Sequence, residues 1–189
     1  MPNVFELEPT TTISKDDSYL LSYPFLLNYF AAKPAFTPEE VVCGAHMAYG
    51  WMPTILELYT KKPNIDLSTA AGLLNTVKVS GTLSDAQIEQ PACLVNNSLV
   101  GASKLLHFIS PYKFAIWDSR VYAFVYQEKA YHERVNNVSK YRSYLGLLSR
   151  HQQDGKFSGF HASVNNKIGY AVSPLRALEL IMYLNAPTY

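Results

Sequence analysis

Strong helix-start signals recur along this chain and constrain its fold more than any other feature. The segment Thr37-Pro38-Glu39-Glu40 combines a threonine N-cap, a proline at the first helical position and a glutamate that closes a capping box. A second capping box is indicated by Ser84-Asp85-Ala86-Gln87, and Ser173-Pro174 begins another helix. Apolar residues follow each signal at helical spacing, so all three predict helices.

The spacing of apolar residues predicts helices over most of the remaining chain. They are expected at residues 20–32, 67–77, 99–109, 118–126 and 132–150. Lys61-Lys62-Pro63-Asn64 predicts a turn, and residues 157–172 predict a small β-hairpin that turns at Asn165-Asn166. Strands are otherwise scarce. The prediction is an all-α fold, with residues 1–17 as a polar N-terminal arm and residues 18–189 as a single compact helical domain.

The composition predicts a globular protein with no membrane anchor. Of 189 residues, 48% are hydrophobic and 16% are charged, which provides ample apolar side-chain area for a core. No apolar run reaches the roughly 20 residues of a membrane span, and the N-terminus lacks the pattern of a signal peptide. Cys43 and Cys93 have no partners at metal-ligand spacing. We therefore expect a cytoplasmic protein with no metal, cofactor or obligatory protein partner.

The two halves of the chain carry opposite net charges. Residues 1–100 contain 5 Lys and Arg against 10 Asp and Glu, whereas residues 101–189 contain 11 against 5. If this difference corresponds to two faces of the folded protein, the basic face would attract an anion such as DNA. The alternative is that the halves of the sequence do not correspond to faces.

The stretch from Val100 to Arg120, with the sequence VGASKLLHFISPYKFAIWDSR, carries the most specific chemical signal. It places Lys104 on a helix that begins near Gly101, and it places Asp118 after an apolar, aromatic run, just ahead of the next helix. An amine can attack a sugar carbon, and a carboxylate can stabilise the cation that forms there. This order of groups is the one that a base-excising DNA enzyme requires.

These residues resemble the helix-hairpin-helix DNA glycosylases, the superfamily that includes endonuclease III and 8-oxoguanine glycosylase. The resemblance implies a hairpin at residues 97–101 whose backbone N–H groups bind a DNA phosphate. It also implies that Lys104 is the nucleophile that attacks the sugar C1′ and that Asp118 is the essential carboxylate. The four-cysteine iron–sulfur loop of some members is absent here. The implied function is excision of a damaged or modified base from DNA, such as a modified base of phage DNA, with lyase activity through Lys104.

An enzyme of this kind must hold its target base outside the stack, between aromatic and polar groups. The candidates for contact with the base or the DNA lie around the two catalytic candidates and in one earlier helix. They are Gly101, Ser103, His107, Tyr112, Trp117, Arg120 and Trp51, with Phe108 and Tyr49 as further pocket candidates.

Each assignment has a structural alternative. Lys104 would be an ordinary solvated lysine, Asp118 only an N-cap, and Trp117 and His107 parts of the core. The pair Arg176 and Glu179 is interpreted as a local ion pair at i, i+3. At the level of the whole protein, the alternatives are a non-catalytic helical DNA-binding module that acts in regulation or defence, and a protein-interaction domain with an aromatic groove.

Overall fold

The computed structural model describes residues 1–52, 54–60 and 65–189. Within these ranges the chain forms eleven α-helices, which confirms the all-α prediction. The first six are α1 (Val4–Leu7), α2 (Ser18–Ala32), α3 (Pro38–Trp51), α4 (Leu67–Ser80), α5 (Asp85–Leu94) and α6 (Leu99–Ile109). The others are α7 (Ser119–Tyr126), α8 (His132–Val135), α9 (Val138–Gln152), α10 (Phe157–Ile168) and α11 (Pro174–Leu184). None of these described helices is both long and apolar enough to cross a membrane.

Connections between the helices contain little regular structure. A 3₁₀ turn, Glu8–Thr10, follows α1, and an isolated bridge joins Leu58 to Val95. That bridge is the one β-type pairing within the described ranges. The predicted turn at residues 61–64 lies outside the described residues.

Both capping boxes predicted from the sequence are confirmed. The Thr37 hydroxyl accepts from the Glu40 N–H at 3.3 Å, and the Glu40 carboxylate accepts from the Thr37 N–H at 2.9 Å. The same reciprocal pair joins Ser84 and Gln87 at the start of α5. These side chains satisfy backbone N–H groups that have no partner within the helix, so α3 and α5 begin where the sequence places them.

Helix α6 is the central element of the fold. Every residue of α6 except Val100 is buried, and the helix packs against α2, α3, α4 and α5. The Phe108 ring stacks on Phe30, with ring centroids 5.8 Å apart and an interplanar angle of 7°. Burying one such side chain stabilises the fold by about 1.5–3 kcal/mol. Helix α6 is therefore packed on several sides, and this packing fixes the positions of the polar side chains that it carries.

Helices α7 and α11 pack on each other beside α6. All residues of α11 from 175 to 182 are buried, including the charged residues Arg176 and Glu179. The segment that leads into α7 is attached to α6 through Ser103, whose hydroxyl accepts from the Trp117 N–H at 3.1 Å. This arrangement brings the start of α7, the middle of α6 and the first turns of α11 to one place.

The prediction of a β-hairpin at residues 157–172 is wrong, because most of this segment forms helix α10. Phe160, Val164 and Ile168 follow one another at a spacing of four and are buried on one face of that helix. Gly169 ends it in the left-handed conformation, at a φ of 97°. Burial of this apolar face outweighs the low helix propensity of the serines and asparagines in the segment.

The N-terminal residues 1–17 are more ordered than the predicted polar arm. The side chain of Val4 is fully buried, and α1 packs against α11. The Glu8 carboxylate is buried and pairs with the Lys167 amine of α10 at 2.7 Å. The start of the chain is thus attached to the helical domain by an apolar contact and by an ion pair.

Candidate functional site

Lys104 is a buried lysine in the middle of α6. Its exposed fraction is 8%, and its side chain lines a cavity that opens between α6, α7 and α11. No hydrogen bond or ion pair within the described part of the chain engages its amine. A buried amine is costly unless it is paired or neutral, so an unpaired one at a cavity wall is a candidate for chemistry. The structural alternative of a solvated surface lysine does not apply.

Asp118 lies at the N-terminus of α7 and lines the same cavity. Its Oδ1 accepts from the Val121 N–H at 2.9 Å, so the residue caps the helix as the sequence indicates. No hydrogen bond among the described residues engages Oδ2. The backbone before Asp118 is held by buried residues, including Phe114 and Trp117. Capping therefore orients the carboxylate and occupies only one of its two oxygens.

The cavity has a volume of about 700 Å³, which lies within the range of small-molecule sites. Three cations, Lys104, Arg120 and Arg176, and three carboxylates, Asp17, Asp118 and Glu179, lie in its lining. Arg176 forms an ion pair with Glu179 through Nη1. Trp51 contributes an aromatic wall. The cavity therefore combines apolar surface with a small number of convergent charged groups, a pattern that is typical of ligand sites.

Burial shifts the protonation equilibria in this cavity. It lowers the pKa of the Lys104 amine, because the charged form loses its solvation; the carboxylates of Asp118 and Glu179 act in the opposite direction, and the guanidinium of Arg176 adds to the lowering. Burial raises the pKa of the Glu179 carboxyl to about 7, although Arg176 opposes that shift. A larger fraction of Lys104 is therefore in the neutral, nucleophilic form than for an exposed lysine at the same pH.

The hairpin before α6 differs from a phosphate-binding loop. Asn96 and Asn97 both adopt the left-handed conformation, with φ values of 53° and 50°. The Leu99 N–H donates to the side chain of Asn136 at 2.9 Å, and the Gly101 N–H donates to the Ser98 hydroxyl at 3.3 Å. Gly101 is itself buried. The structure thus corrects the expectation that Gly101 contacts DNA, because its amide is already hydrogen-bonded inside the protein.

Gly101 is required for packing instead. A Cβ built at this position would lie 2.1 Å from the Tyr49 Oη and 2.5 Å from Cζ, and the ring is held because its hydroxyl donates to the Val95 carbonyl. We expect Gly101→Ala to destabilise the protein by about 1–3 kcal/mol, as measured by chemical denaturation. Adding Tyr49→Ala should remove most of that cost, so a double mutant whose two effects simply add would contradict this explanation.

Only two of the predicted base or DNA contacts, Trp51 and Arg120, lie in the lining of the cavity. The guanidinium of Arg120 lies over the Tyr183 ring, 4.4 Å from its centroid. Trp51 donates its indole N–H to the Tyr19 carbonyl at 3.2 Å. Both residues are therefore held in the lining by contacts of their own.

Most of the other predicted contacts are corrected by the structure, because their side chains are buried. Trp117 is fully buried and donates its indole N–H to the Val135 carbonyl at 2.8 Å, so it belongs to the core. His107 is also fully buried, and burial lowers its pKa to about 3. Ser103 is buried against the Trp117 backbone. Tyr112 does not line the cavity but is 70% exposed, so its contact with DNA stays a prediction. Phe108 and Tyr49 are buried in the core as well.

Two charged residues of the site were not identified from the sequence. Arg176 and Glu179 are 4% and 1% exposed, and both line the cavity. The interpretation of Arg176 and Glu179 as a local ion pair is confirmed. It did not predict that both residues line the cavity. The available signal was their place in α11, where they are the two charges in an otherwise apolar run. Charged residues are almost never fully buried unless they are paired, and these two are paired with each other.

The basic residues of the second half of the chain do not form a positive frame around the cavity. Four of them are ion-paired elsewhere: Arg134 and Lys140 with Glu128, Arg142 with Asp85, and Lys167 with Glu8. From that half, Lys104, Arg120 and Arg176 are the Lys and Arg residues in the described lining. The acidic first half and the basic second half of the chain therefore do not form two oppositely charged faces around this cavity.

The described residues contain no group of three or more His, Cys, Asp or Glu side chains placed to hold a metal ion. The cavity lining contains the Lys104 amine, three carboxylates and two guanidinium groups beside aromatic and apolar side chains. These groups can perform nucleophilic attack, stabilise developing positive charge and donate hydrogen bonds. Protein-family models, curated protein sequences and solved structures were compared with the chain, and none of them matches.

Proposed function

We propose that this protein is a DNA glycosylase that removes a damaged or modified base and uses Lys104 as its nucleophile. The observation that carries the proposal is the unpaired, buried amine of Lys104, which shares one cavity with the Asp118 carboxylate. A buried lysine without a partner destabilises a fold, and a neutral amine beside a carboxylate is what N-glycosidic cleavage through a covalent intermediate requires.

The chemistry follows from the charges of the two groups. When the bond between C1′ and the base nitrogen breaks, its electron pair leaves with the base, which then takes up a proton. Positive charge develops on the sugar, and the Asp118 carboxylate stabilises it electrostatically. The neutral Lys104 amine forms the new bond to C1′ and loses a proton. Opening of the sugar then yields a Schiff base, the species from which strand cleavage by a lyase proceeds.

The size and lining of the cavity support an extruded nucleotide as the occupant. A base within a duplex is out of reach of a buried amine, so the nucleotide must rotate out of the stack. A volume of about 700 Å³ is sufficient for one base and its sugar. Trp51 in the lining contributes apolar surface beside the base, and the guanidinium of Arg120 in the lining contributes positive charge for the DNA backbone.

Borohydride trapping tests the proposal directly. Wild-type protein is incubated with a panel of oligonucleotides that each carry one altered base, and borohydride is added to reduce any Schiff base. We expect a covalent protein–DNA adduct with at least one member of the panel, and peptide mapping should place it on Lys104. Salt-dependent binding with no base release from any substrate would instead favour a non-catalytic DNA-binding module.

The pH dependence of trapping provides a second check. The neutral amine is the reactive form, and burial lowers its pKa. The rate of adduct formation should therefore rise with pH and level off below the ordinary lysine value of about 10.4. A rate that still increases in proportion to hydroxide up to that value would contradict a lowered pKa at Lys104. The measurement is a single-turnover rate at each pH, at constant ionic strength.

A further inference from the structure

The backbone that leads into Asp118 is buried without belonging to a helix. Residues 114–117 are each no more than 1% exposed, and they form neither helix nor strand. Buried backbone groups need hydrogen-bond partners, because an unpaired N–H or carbonyl loses its contact with water and gains nothing in return. Connections between helices usually avoid this cost by running over the surface. A buried connection must therefore find its partners in side chains.

Three consecutive carbonyl groups of this segment are each bonded by a side chain of α6 or α9. The contacts are His107 Nδ1 to Phe114 at 2.7 Å, the Tyr141 hydroxyl to Ala115 at 2.9 Å and the Tyr144 hydroxyl to Ile116 at 3.2 Å. All three of these side chains are fully buried. Buried donors that match successive carbonyls fix the course of the chain, as a neighbouring strand would.

The last residue before Asp118 is held by a single serine. The Ser103 hydroxyl accepts from the Trp117 N–H at 3.1 Å and lies 3.2 Å from the Trp117 carbonyl oxygen, with the Val100 carbonyl as a further acceptor at 2.9 Å. Ser103 precedes Lys104 in α6, just as Trp117 precedes Asp118. One side chain therefore joins the backbone that carries the amine to the backbone that carries the carboxylate.

The donors that hold this segment keep their protons across the neutral pH range. Burial raises the pKa of the Tyr141 and Tyr144 hydroxyls above the ordinary tyrosine value. Burial lowers the pKa of His107 to about 3, so the imidazole is neutral. Its Nδ1 faces a carbonyl, which can only accept, so Nδ1 carries the hydrogen and Nε2 accepts from the Tyr23 hydroxyl at 2.7 Å. The backbone before Asp118 is thus held in one way throughout this range.

We propose that Ser103 and Tyr144 are positioning residues, which hold the backbone of residues 116 and 117 so that the Asp118 carboxylate faces the cavity. The inference rests on the proposed function, because it takes stabilisation of the sugar cation as the task of that carboxylate. Such stabilisation requires a group whose position is fixed before the charge develops, and a displacement of about 1 Å can cost about 10²-fold in rate. Neither positioning side chain belongs to the described lining of the cavity, so both act through Asp118.

Removing the hydrogen bonds singly should slow base release in the order of their distance from Asp118. Ser103→Ala acts one residue before Asp118, Tyr144→Phe two residues before it and Tyr141→Phe three. We expect the single-turnover rate to fall by about tenfold, about threefold and less than about twofold, respectively. Each variant loses a buried hydrogen bond, so each melting temperature should fall by about 2–4 °C. Rate losses that follow the loss of stability, and not this order, would contradict the proposal.

A double-mutant cycle separates positioning from a general loss of stability. If Ser103 acts through the carboxylate, Ser103→Ala should cost no further rate in a protein that already carries Asp118→Asn. Rate losses that multiply would overturn the inference. Tyr49→Phe is the matched control, because it removes a buried hydroxyl that donates to the Val95 carbonyl at 3.0 Å, outside residues 114–117. It should lower the melting temperature to a similar extent and leave the rate of base release intact.

Amide exchange tests the same inference without any enzymatic activity. The Val121 N–H donates to Asp118 Oδ1, so its exchange with deuterium, followed by NMR, reports how firmly the carboxylate is held. We expect Ser103→Ala to accelerate this exchange about tenfold, Tyr144→Phe to accelerate it less, and Tyr49→Phe to leave it unchanged. Unchanged exchange in Ser103→Ala would overturn the inference, and so would faster exchange combined with an unchanged rate of base release.

The two proposals fail in different ways. If wild-type protein releases no base from any substrate, the glycosylase proposal is wrong, and exchange at Val121 still decides whether Ser103 and Tyr144 hold the Asp118 carboxylate. If base is released and Ser103→Ala changes neither its rate nor the exchange at Val121, the glycosylase proposal stands and the assignment of the positioning residues is wrong.

Discussion

Replacing Lys104 by methionine is expected to raise the stability of the protein while it abolishes the borohydride adduct. Methionine keeps the unbranched stem of lysine, whose side chain is 8% exposed, and removes an amine that has no partner in the described part of the chain. We expect an increase of about 1–2 kcal/mol in the free energy of unfolding, which is the usual gain when a functional residue is exchanged for one that suits its environment. Thermal and chemical denaturation at neutral pH measure it.

The pH dependence of that gain has a definite sign. The pKa of Lys104 is lowered in the folded protein, so below the ordinary lysine pKa the unfolded chain binds more protons at this residue than the folded protein does. The stability of wild-type protein relative to Lys104→Met should therefore fall as the pH is lowered. The part of this difference that comes from the charge on Lys104 should disappear above the lysine pKa of the unfolded chain, about 10.4.

An exposed lysine provides the control for this substitution. Lys156 is exposed at the start of α10, and Lys156→Met should change the stability by no more than about 0.5 kcal/mol and leave adduct formation intact. A Lys104→Met protein that is less stable than wild type would show that the amine contributes favourable interactions. An adduct that persists in Lys104→Met would assign the nucleophile to another amine.

Much of the fold could be predicted because the helix starts are determined by residues that lie close together in the sequence. The capping boxes at Thr37 and Ser84 involve residues three apart, so the sequence alone contains both partners. Two misjudged regions depend on less local information. Helix α10 forms because Phe160, Val164 and Ile168 find a core to pack against, and the predicted helix over residues 132–150 is divided where Asn137 caps α9. Tertiary packing outweighs propensity in the first case, and a polar cap interrupts the apolar pattern in the second.

The candidate site was predictable only along one stretch of sequence. Lys104 and Asp118 belong to a recognisable pattern, and the structure brings both to one cavity. Helix α6 is buried on nearly all sides, so its periodicity does not reveal which side chains face a cavity and which, like His107, face the core. Arg176 and Glu179 come from the far end of the chain, and their approach to Lys104 depends on the packing of α11, which no local pattern encodes.

Replacing Asp118 by asparagine is expected to reduce base release by about 10²- to 10³-fold while the fold and DNA affinity are maintained. Asparagine has the same shape and is as good an N-cap, so its Oδ1 can still accept from the Val121 N–H. What it lacks is the negative charge that opposes the cation developing on the sugar. The measurement is the single-turnover rate of base release from a substrate that wild-type protein processes, together with the Kd from anisotropy.

Asp66 offers a matched control, because it caps α4 in the same way without lining the cavity. Its Oδ1 accepts from the Thr69 N–H at 2.7 Å, so Asp66→Asn makes the identical change at a helix N-terminus away from the site. If charge at Asp118 is what accelerates the reaction, only Asp118→Asn should lose rate, and its stability should change as little as that of Asp66→Asn. If Asp118→Asn releases the base at the wild-type rate, the carboxylate is a helix cap alone, and the stabilisation of the sugar cation must come from elsewhere. Because the two variants share the cap geometry and differ in what the carboxylate faces, the comparison separates the two roles that Asp118 combines.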